Sequence, residues 1–235
     1  MALRAGLSAI ILAAGAGSRL RDVADLKPLA EVAGRPLLIH ALHSLAAAGV
    51  ESATIVTGRE APRIDAALKA APIPVETVFN PAWASKPNGV SVLAARDRLG
   101  ARTVLMMADH LVEPALVVRL LERAPASGLS LAVDRRLGSP WVDEADVTRV
   151  RTDGHGRITG IGKDLLVYDC HDTGVFLVNE ALMEALASLP SPGLSDGVRR
   201  LARDGAAHGV DIGDAFWFDV DDARALAMAE VLWRG

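Results

Sequence analysis

The sequence predicts an α/β fold: a mixed, mainly parallel sheet covered by helices on both faces. Three observations carry this. Short apolar β-type runs alternate with helix-length segments through the first 133 residues. No internal repeat or low-complexity linker interrupts them. From residue 134 the rhythm changes to short runs around a turn signature, which predicts a small β-hairpin subregion joined to the parallel core. Residues 1–235 are read as a single domain, since hairpin and core share no evident boundary.

The first run, Leu7 to Ala14, is apolar throughout and fits a buried strand. Arg4 before it and small residues after it imitate a signal peptide. The run is short for that role and leads into Gly15-Ala16-Gly17-Ser18-Arg19, a loop of ligand-binding character. No apolar stretch reaches the ~18 residues that a membrane span needs. Pro36 to Ala48 reads as a helix, with Pro in its first turn and Gly49 past its end. Ser52 to Thr57 is a strand, Pro62 to Ala71 a helix and Pro74 to Phe79 a strand. Asn88 to Leu99 is a helix stopped by Gly100. Arg102 to Met107 is a strand ending in Asp109-His110. Glu113 to Ala124 is a helix and Leu129 to Val133 a strand. Val147 to Thr152 and Arg157 to Ile161 flank Asp153-Gly154-His155-Gly156, a hairpin signature. A third run, Thr173 to Val178, follows. Helices fit Glu180 to Leu189, Ser195 to Asp204 and Asp222 to Trp233, with a strand over Ala207 to Ile212.

Composition removes several function classes. Lys+Arg is 25 and Asp+Glu 29, a net charge of -4. Nucleic-acid binding needs clustered positive charge, so no nucleic-acid partner is expected. At 51% hydrophobic and 23% charged residues the chain folds rather than staying disordered. The lone Cys170 excludes an internal disulfide and a multi-Cys zinc site, and fits a cytoplasmic protein. Only Lys27, Lys69, Lys86 and Lys163 are lysines among the 25 basic residues. A chain this biased toward Arg keeps Lys where a compact point charge is required.

In a parallel sheet, ligands bind beyond the carboxyl ends of the strands. Three constellations fall there. Leu12-Ala13-Ala14-Gly15-Ala16-Gly17-Ser18-Arg19 with Lys27-Pro28 is a glycine-containing anion nest with two cations. It lacks the third Gly of a dinucleotide fingerprint and the Gly-Lys-Ser/Thr of a Walker loop. Asp109-His110 ends an apolar strand, where Asp109 serves either as ligand to a hard cation or as a helix cap. Trp217-Phe218-Asp219-Val220-Asp221-Asp222 offers further carboxylates after a short aromatic-rich strand, and Asp221 or Asp222 caps the last helix.

These residues resemble a known group. Leu12-Ala13-Ala14-Gly15-x-Gly17-x-Arg19-Leu20 with Lys27-Pro28-Leu29 is similar to the signature of sugar-phosphate nucleotidylyltransferases. Other segments resemble the CTP:inositol-1-phosphate cytidylyltransferases. They are Met107-Ala108-Asp109-His110, Val133-Asp134-Arg135, Ile161-Gly162-Lys163, Tyr168-Asp169-Cys170-x-Asp172-Thr173-Gly174-x-Phe176 and Trp217-x-Asp219-Val220-Asp221. The resemblance implies a GT-A-like, Rossmann-like three-layer α/β/α sandwich. It also implies transfer of a cytidylyl group from CTP to inositol 1-phosphate, giving CDP-inositol and pyrophosphate. Residues 7–133 would form the nucleotide part and 134–221 the acceptor and metal part. Leu12, Ala13, Ala14, Gly15, Gly17, Asn80, Asn88 and Ser91 would line the nucleotide, and Arg19 and Lys27 would hold the triphosphate. Asp109 and Asp219 would hold Mg2+. Asp134, Arg135, Lys163, Asp172 and Thr173 would bind the acceptor.

The chain departs from the family at Ala108, where Gly is usual, and at Arg149, where Lys is usual. The resemblance also implies a separate membrane transferase that uses the CDP product, with no membrane insertion of this chain. Three alternatives remain open: another acceptor such as phosphocholine or a sugar phosphate, a metal-dependent glycosyltransferase using Asp219-Val220-Asp221, and a non-catalytic nucleotide-binding module.

Overall fold

The computed structural model describes residues 4–15 and 25–233. Nine strands form the main sheet, and seven of them run in the order β12-β8-β11-β6-β1-β4-β5. They are β1 (Arg4–Leu12), β4 (Ser52–Thr57), β5 (Val75–Phe79), β6 (Gly100–Met107), β8 (Leu129–Asp134), β11 (Cys170–Val178) and β12 (Ala207–Asp211). β6, β1, β4 and β5 run parallel, and β12 runs parallel to β8. β11 is antiparallel to both β6 and β8, so it reverses the sheet at its centre. The predicted hairpin, β9 (Arg149–Thr152) and β10 (Ile158–Gly162), pairs with the start of β11 through Cys170 and His171.

Neighbouring residues of a strand point to opposite faces. Ala9, Ile11 and Ala13 therefore enter one core, while Ile10, Leu12 and Ala14 enter the other. Both faces of the sheet are covered, which is why its central strands read as unbroken apolar runs. The first core packs under α1 (Leu37–Ala47), α2 (Ala61–Ala67) and α4 (Pro114–Arg123). The second packs under α3 (Asn88–Ala94), α5 (Glu180–Ala187) and α6 (Leu194–Arg203). Each fully buried Leu or Ile contributes about 1.5–3 kcal/mol. This is the three-layer sandwich that the β-α rhythm predicts.

Several boundaries differ from expectation. β1 ends at Leu12, and Ala13 continues only as an N–H donor to Val56 at 2.9 Å. Pro36 is the residue before α1 rather than inside it, because it pairs with Glu31. The predicted helix to Ala71 leaves α geometry after Ala67, and the one to Leu99 after Ala94; each closes in a tighter turn. β11 begins at Cys170, three residues early.

Two short ladders escape the sequence reading. β2 (Glu31–Val32) and β3 (Arg35–Pro36) form a hairpin directly after Lys27-Pro28-Leu29. β7 (His110–Val112) pairs antiparallel with β13 (Trp217–Asp219), on which α7 (Ala223–Leu232) packs through a third apolar cluster of Val32, Leu111, Phe218 and Val220. Among the described residues no helix is long and apolar enough to cross a membrane.

Candidate active site

The β7–β13 ladder builds the site. Its register sets Asp219 directly opposite His110, and Val220 N–H donates to the Asp109 carbonyl at 3.1 Å. Carboxylates far apart in sequence thus meet at the carboxyl edge of β6. Lys27, on the turn after the glycine loop, reaches into this cluster. Its Nζ lies 2.6 Å from Asp109 Oδ2 and 3.8 Å from Asp219 Oδ1, and pairs with Asp221 Oδ1. Burial pulls the Lys27 pKa down, but Asp109, Asp219 and Asp221 outweigh it and hold the ammonium above its usual range.

His110 sits beneath these carboxylates. Its Nδ1 is 2.8 Å from the Thr173 carbonyl, and its Nε2 is 3.4 Å from Asp219 Oδ1 and 3.7 Å from Asp109 Oδ1. Burial lowers its pKa, yet Asp219 and Asp109 push it up to about 10. The His110 ring lies close against Gly174, where a Cβ would come within 2.4 Å of it and where φ is +74°. Only glycine fits that position, which explains Thr173-Gly174 in physical terms. Burial works against the Asp219 carboxylate, but His110 and Lys27 hold its pKa below the usual range. Burial and the neighbouring Asp219 charge push Asp221 up to about 6.

Asp109 Oδ1 and Asp219 Oδ1 are buried and make no hydrogen bond of ordinary geometry. With a His110 nitrogen they lie within 4.8 Å of one another. Two buried carboxylate oxygens without hydrogen-bond partners are a donor set that fits a hard divalent cation.

Two cavities meet at this cluster, and Asn88, Met107 and Asp221 line both. The smaller, about 380 Å³, is lined by Leu12, Ala13, Ala14, Gly15, Lys27, Pro28, Ser91, Ala108 and Asp109. Gly17 and Arg19 lie outside the described residues. Trp83 and Lys86 also line it, and neither is foreseen in the sequence reading. Lys86 is one of the four lysines that the Arg-biased composition marks, and Trp83 lies in the same turn-rich stretch. Trp83 fits because Gly58 has no Cβ; one there would lie 2.6 Å from the Trp83 Cβ. Asn80 does not line this cleft. It is buried, donating to Ser91 Oγ at 2.9 Å and accepting from Ala82 N–H at 2.9 Å, so it orients Ser91. Asn88 accepts from Leu194 N–H at 2.8 Å and ties α3 to α6.

The larger cavity, about 430 Å³, takes in Lys163, Asp172, His110 and Asp219. Burial pushes the Asp172 carboxyl up to about 6, against the Gly174 N–H that it accepts at 2.7 Å. Lys163 Nζ is 2.5 Å from Asp146 Oδ1. The segment 140–148 supplies much of the wall, including Trp141, Glu144 and Asp146.

The structure corrects three acceptor residues. Asp134 is fully buried; Arg136 donates to both its oxygens at 2.9 and 3.0 Å, and Trp217 Nε1 donates at 2.8 Å. It braces β8 against β13 and has no face toward the cavity. Arg135 turns away to Asp169 at 2.5 Å and Thr152 Oγ1 at 2.9 Å. Thr173 is buried, and its hydroxyl donates to the Ala132 carbonyl at 2.8 Å. Of the two capping candidates, Asp222 accepts from Ala225 N–H at 2.7 Å and caps α7, while Asp221 faces Lys27. Cys170 is buried, and burial pushes its thiol up to about 12, so it is no nucleophile.

Lys27 thus stands among three carboxylates where two cavities meet. Fold and site together define a nucleotidyltransferase. The chain belongs to the MobA-like NTP transferase domain family, whose model matches residues 9–211. It is 38% identical over 237 residues to a Rubrobacter xylanophilus protein named bifunctional IPC transferase and DIPP synthase, covering 99% of this chain and 53% of that protein. An Aquifex aeolicus protein of the same name is 32% identical over 226 residues, covering 95% and 51%. The chain thus spans about half the length of these curated relatives. The structure of the inositol-1-phosphate CTP transferase from T. maritima superposes with a TM-score of 0.86 at 24% identity, covering 98% of this chain and 95% of that one. That likeness shows a shared fold.

Proposed function

We propose that the protein transfers a cytidylyl group from CTP to inositol 1-phosphate, releasing CDP-inositol and pyrophosphate. The observation that carries this is Lys27 among Asp109, Asp219 and Asp221 at the junction of two cavities. The names of the relatives and the motifs around Lys163 and Asp172 support the choice of acceptor. CTP lies in the cavity of the nucleotide part, residues 7–133. The acceptor lies in the cavity of the acceptor part, residues 134–221, with its phosphate toward the shared wall.

The acceptor phosphate oxygen attacks the α-phosphorus in line, the bond to the bridging oxygen breaks, and pyrophosphate leaves. No general base is needed, because a phosphate monoester is already anionic near pH 7. Backbone N–H groups of Ala14 and Gly15 cradle the phosphates, and Ser91 and Asn88 fix the nucleotide edge. Lys27, with Arg19, holds the triphosphate and the charge that develops on the leaving group. Asp109 and Asp219 would hold a divalent metal such as Mg2+, which would supply neutralisation of phosphate charge. Positioning and charge do the rest. A glycosyltransferase handling a diphosphate donor does not need the Lys27 and Arg19 grip. The deciding experiment is a pyrophosphate-release screen of CTP, UTP, GTP and ATP against phosphorylated polyols, sugars and choline. CTP with inositol 1-phosphate is the expected best pair, and a preference for phosphocholine or a hexose 1-phosphate removes the inositol assignment.

A further inference from the structure

We infer that Glu144 reads a hydroxyl of the acceptor remote from its phosphate, and that Tyr168 is the residue that positions Glu144; this rests on the acceptor reading proposed above. Glu144 lines the larger cavity from the segment between β8 and β9, with its side chain 41% exposed. Three side chains frame it. Tyr168 Oη donates to its Oε2 at 3.1 Å, and His171 Nε2 approaches its Oε1 at 3.3 Å. Arg149 Nη2 donates to its main-chain carbonyl at 3.0 Å. The Arg149 guanidinium also lies over the Tyr168 ring, 4.9 Å from its centre, and its Nη1 reaches the Lys163 carbonyl at 3.4 Å. A planar fork can make two carbonyl bonds and a stack together, which a lysine ammonium cannot. His171 is fully buried, and neither ring nitrogen makes a hydrogen bond of ordinary geometry. Its close approach to Glu144 is therefore the polar contact left to it.

Fixing a free glutamate costs up to about 2 kcal/mol of rotamer entropy, so a surface carboxylate without a task gains little from such a frame. An ionised carboxylate accepts in about four directions. Tyr168 occupies one on Oε2 and His171 stands 3.3 Å from Oε1, which leaves acceptor positions on the cavity side. A carboxylate only accepts, so its partner is a donor and never the phosphate. The acceptor's phosphate thus sits at the lysine end, and a hydroxyl of its polyol ring meets Glu144.

The test compares inositol 1-phosphate with cyclohexyl phosphate, the same ring without its hydroxyls, in steady-state pyrophosphate release. For wild type, inositol 1-phosphate should be the better acceptor. Glu144→Ala and Glu144→Gln should raise the inositol 1-phosphate KM about 10–100-fold, the loss of a hydrogen bond to a charged group. They should leave the KM for CTP and the rate with cyclohexyl phosphate unchanged. Tyr168→Phe should raise the same KM about 5-fold with kcat retained, and should add nothing in a Glu144→Ala background. Equal losses on both acceptors, or additive effects of the two substitutions, overturn the inference. If wild type releases no pyrophosphate with inositol 1-phosphate, the functional reading falls instead. Calorimetric binding of that polyol phosphate to wild type and Glu144→Ala then decides the role of Glu144, and equal affinities overturn it.

Discussion

Lys27 and Asp109 face each other across 2.6 Å, joining the turn after the glycine loop to the end of β6. The ammonium occupies the place where positive charge is wanted: beside Asp219 and Asp221, at the wall shared by both cavities. A guanidinium is wider and planar and cannot sit among three carboxylates in the same way. Lys27→Arg should therefore lose roughly 10²-fold or more in kcat, the usual cost of misplacing a preorganised transition-state charge. Steady-state pyrophosphate release measures this. Wild-type turnover in the variant would show that Lys27 only neutralises its neighbours.

The carboxylates around Lys27 divide by environment. Asp109 Oδ1 and Asp219 Oδ1 are buried without hydrogen bonds, whereas Asp221 pairs with Lys27 and carries a carboxyl pushed up to about 6. Asp109→Asn and Asp219→Asn should each remove most turnover, with partial rescue at high Mg2+. Asp221→Asn should cost about 10-fold, since Lys27 loses one of its holds. Asp222→Asn should leave stability intact, because Asn caps a helix as well as Asp. Melting curves and rates across these four variants check the division. An Asp221→Asn loss as large as that of Asp219→Asn would move the metal ligand one step along the Asp-x-Asp segment.

The parallel core was legible because buried strands announce themselves as apolar runs, as Val104 to Met107 does before Asp109-His110. The β7–β13 ladder was not, because three-residue strands carry no periodicity. His110 to Val112 also reads as the approach to a helix. Without that ladder, nothing in the sequence tells Asp221 from Asp222 as the cap. Asp134 was misread for a related reason. A carboxylate ending a strand normally meets solvent or ligand, and its partner Trp217 is distant in sequence. Nor does the sequence around Glu144 signal that Tyr168 and His171 converge on it.

The turn between β2 and β3 offers a stability test. Ala33 and Gly34 both have positive φ, +51° and +72°, as a two-residue type I′ hairpin turn requires. Alanine is strained there by roughly 1 kcal/mol. Ala33→Asn creates the favoured Asn-Gly pair and keeps the main-chain N–H that donates to both Glu230 oxygens at 3.1 Å. Thermal unfolding should show a gain of about 0.5–1 kcal/mol with unchanged turnover. A destabilised variant would mean that the turn is not of this type.

Asp134 supplies the last expectation, and it concerns acid stability. Its carboxylate is fully buried, and Arg136, Trp217 and the Arg136 N–H all donate to it. Burial alone would raise its pKa, but these donors hold it below the usual carboxylate range. A group whose pKa is lower folded than unfolded stabilises the fold above its unfolded pKa, about 4. That contribution fades as pH falls through the lower folded value. Asp134→Ala strips the pairing and leaves Arg136 and the Trp217 N–H without their acceptor, which should cost about 3 kcal/mol at pH 7. The difference between variant and wild type should shrink as pH drops below about 4, where the unfolded chain takes up a proton that folded Asp134 still excludes. Denaturant midpoints at pH 7, 5 and 3 measure this directly. A difference that stays constant down to pH 3 would show that Asp134 acts through packing rather than through its charge.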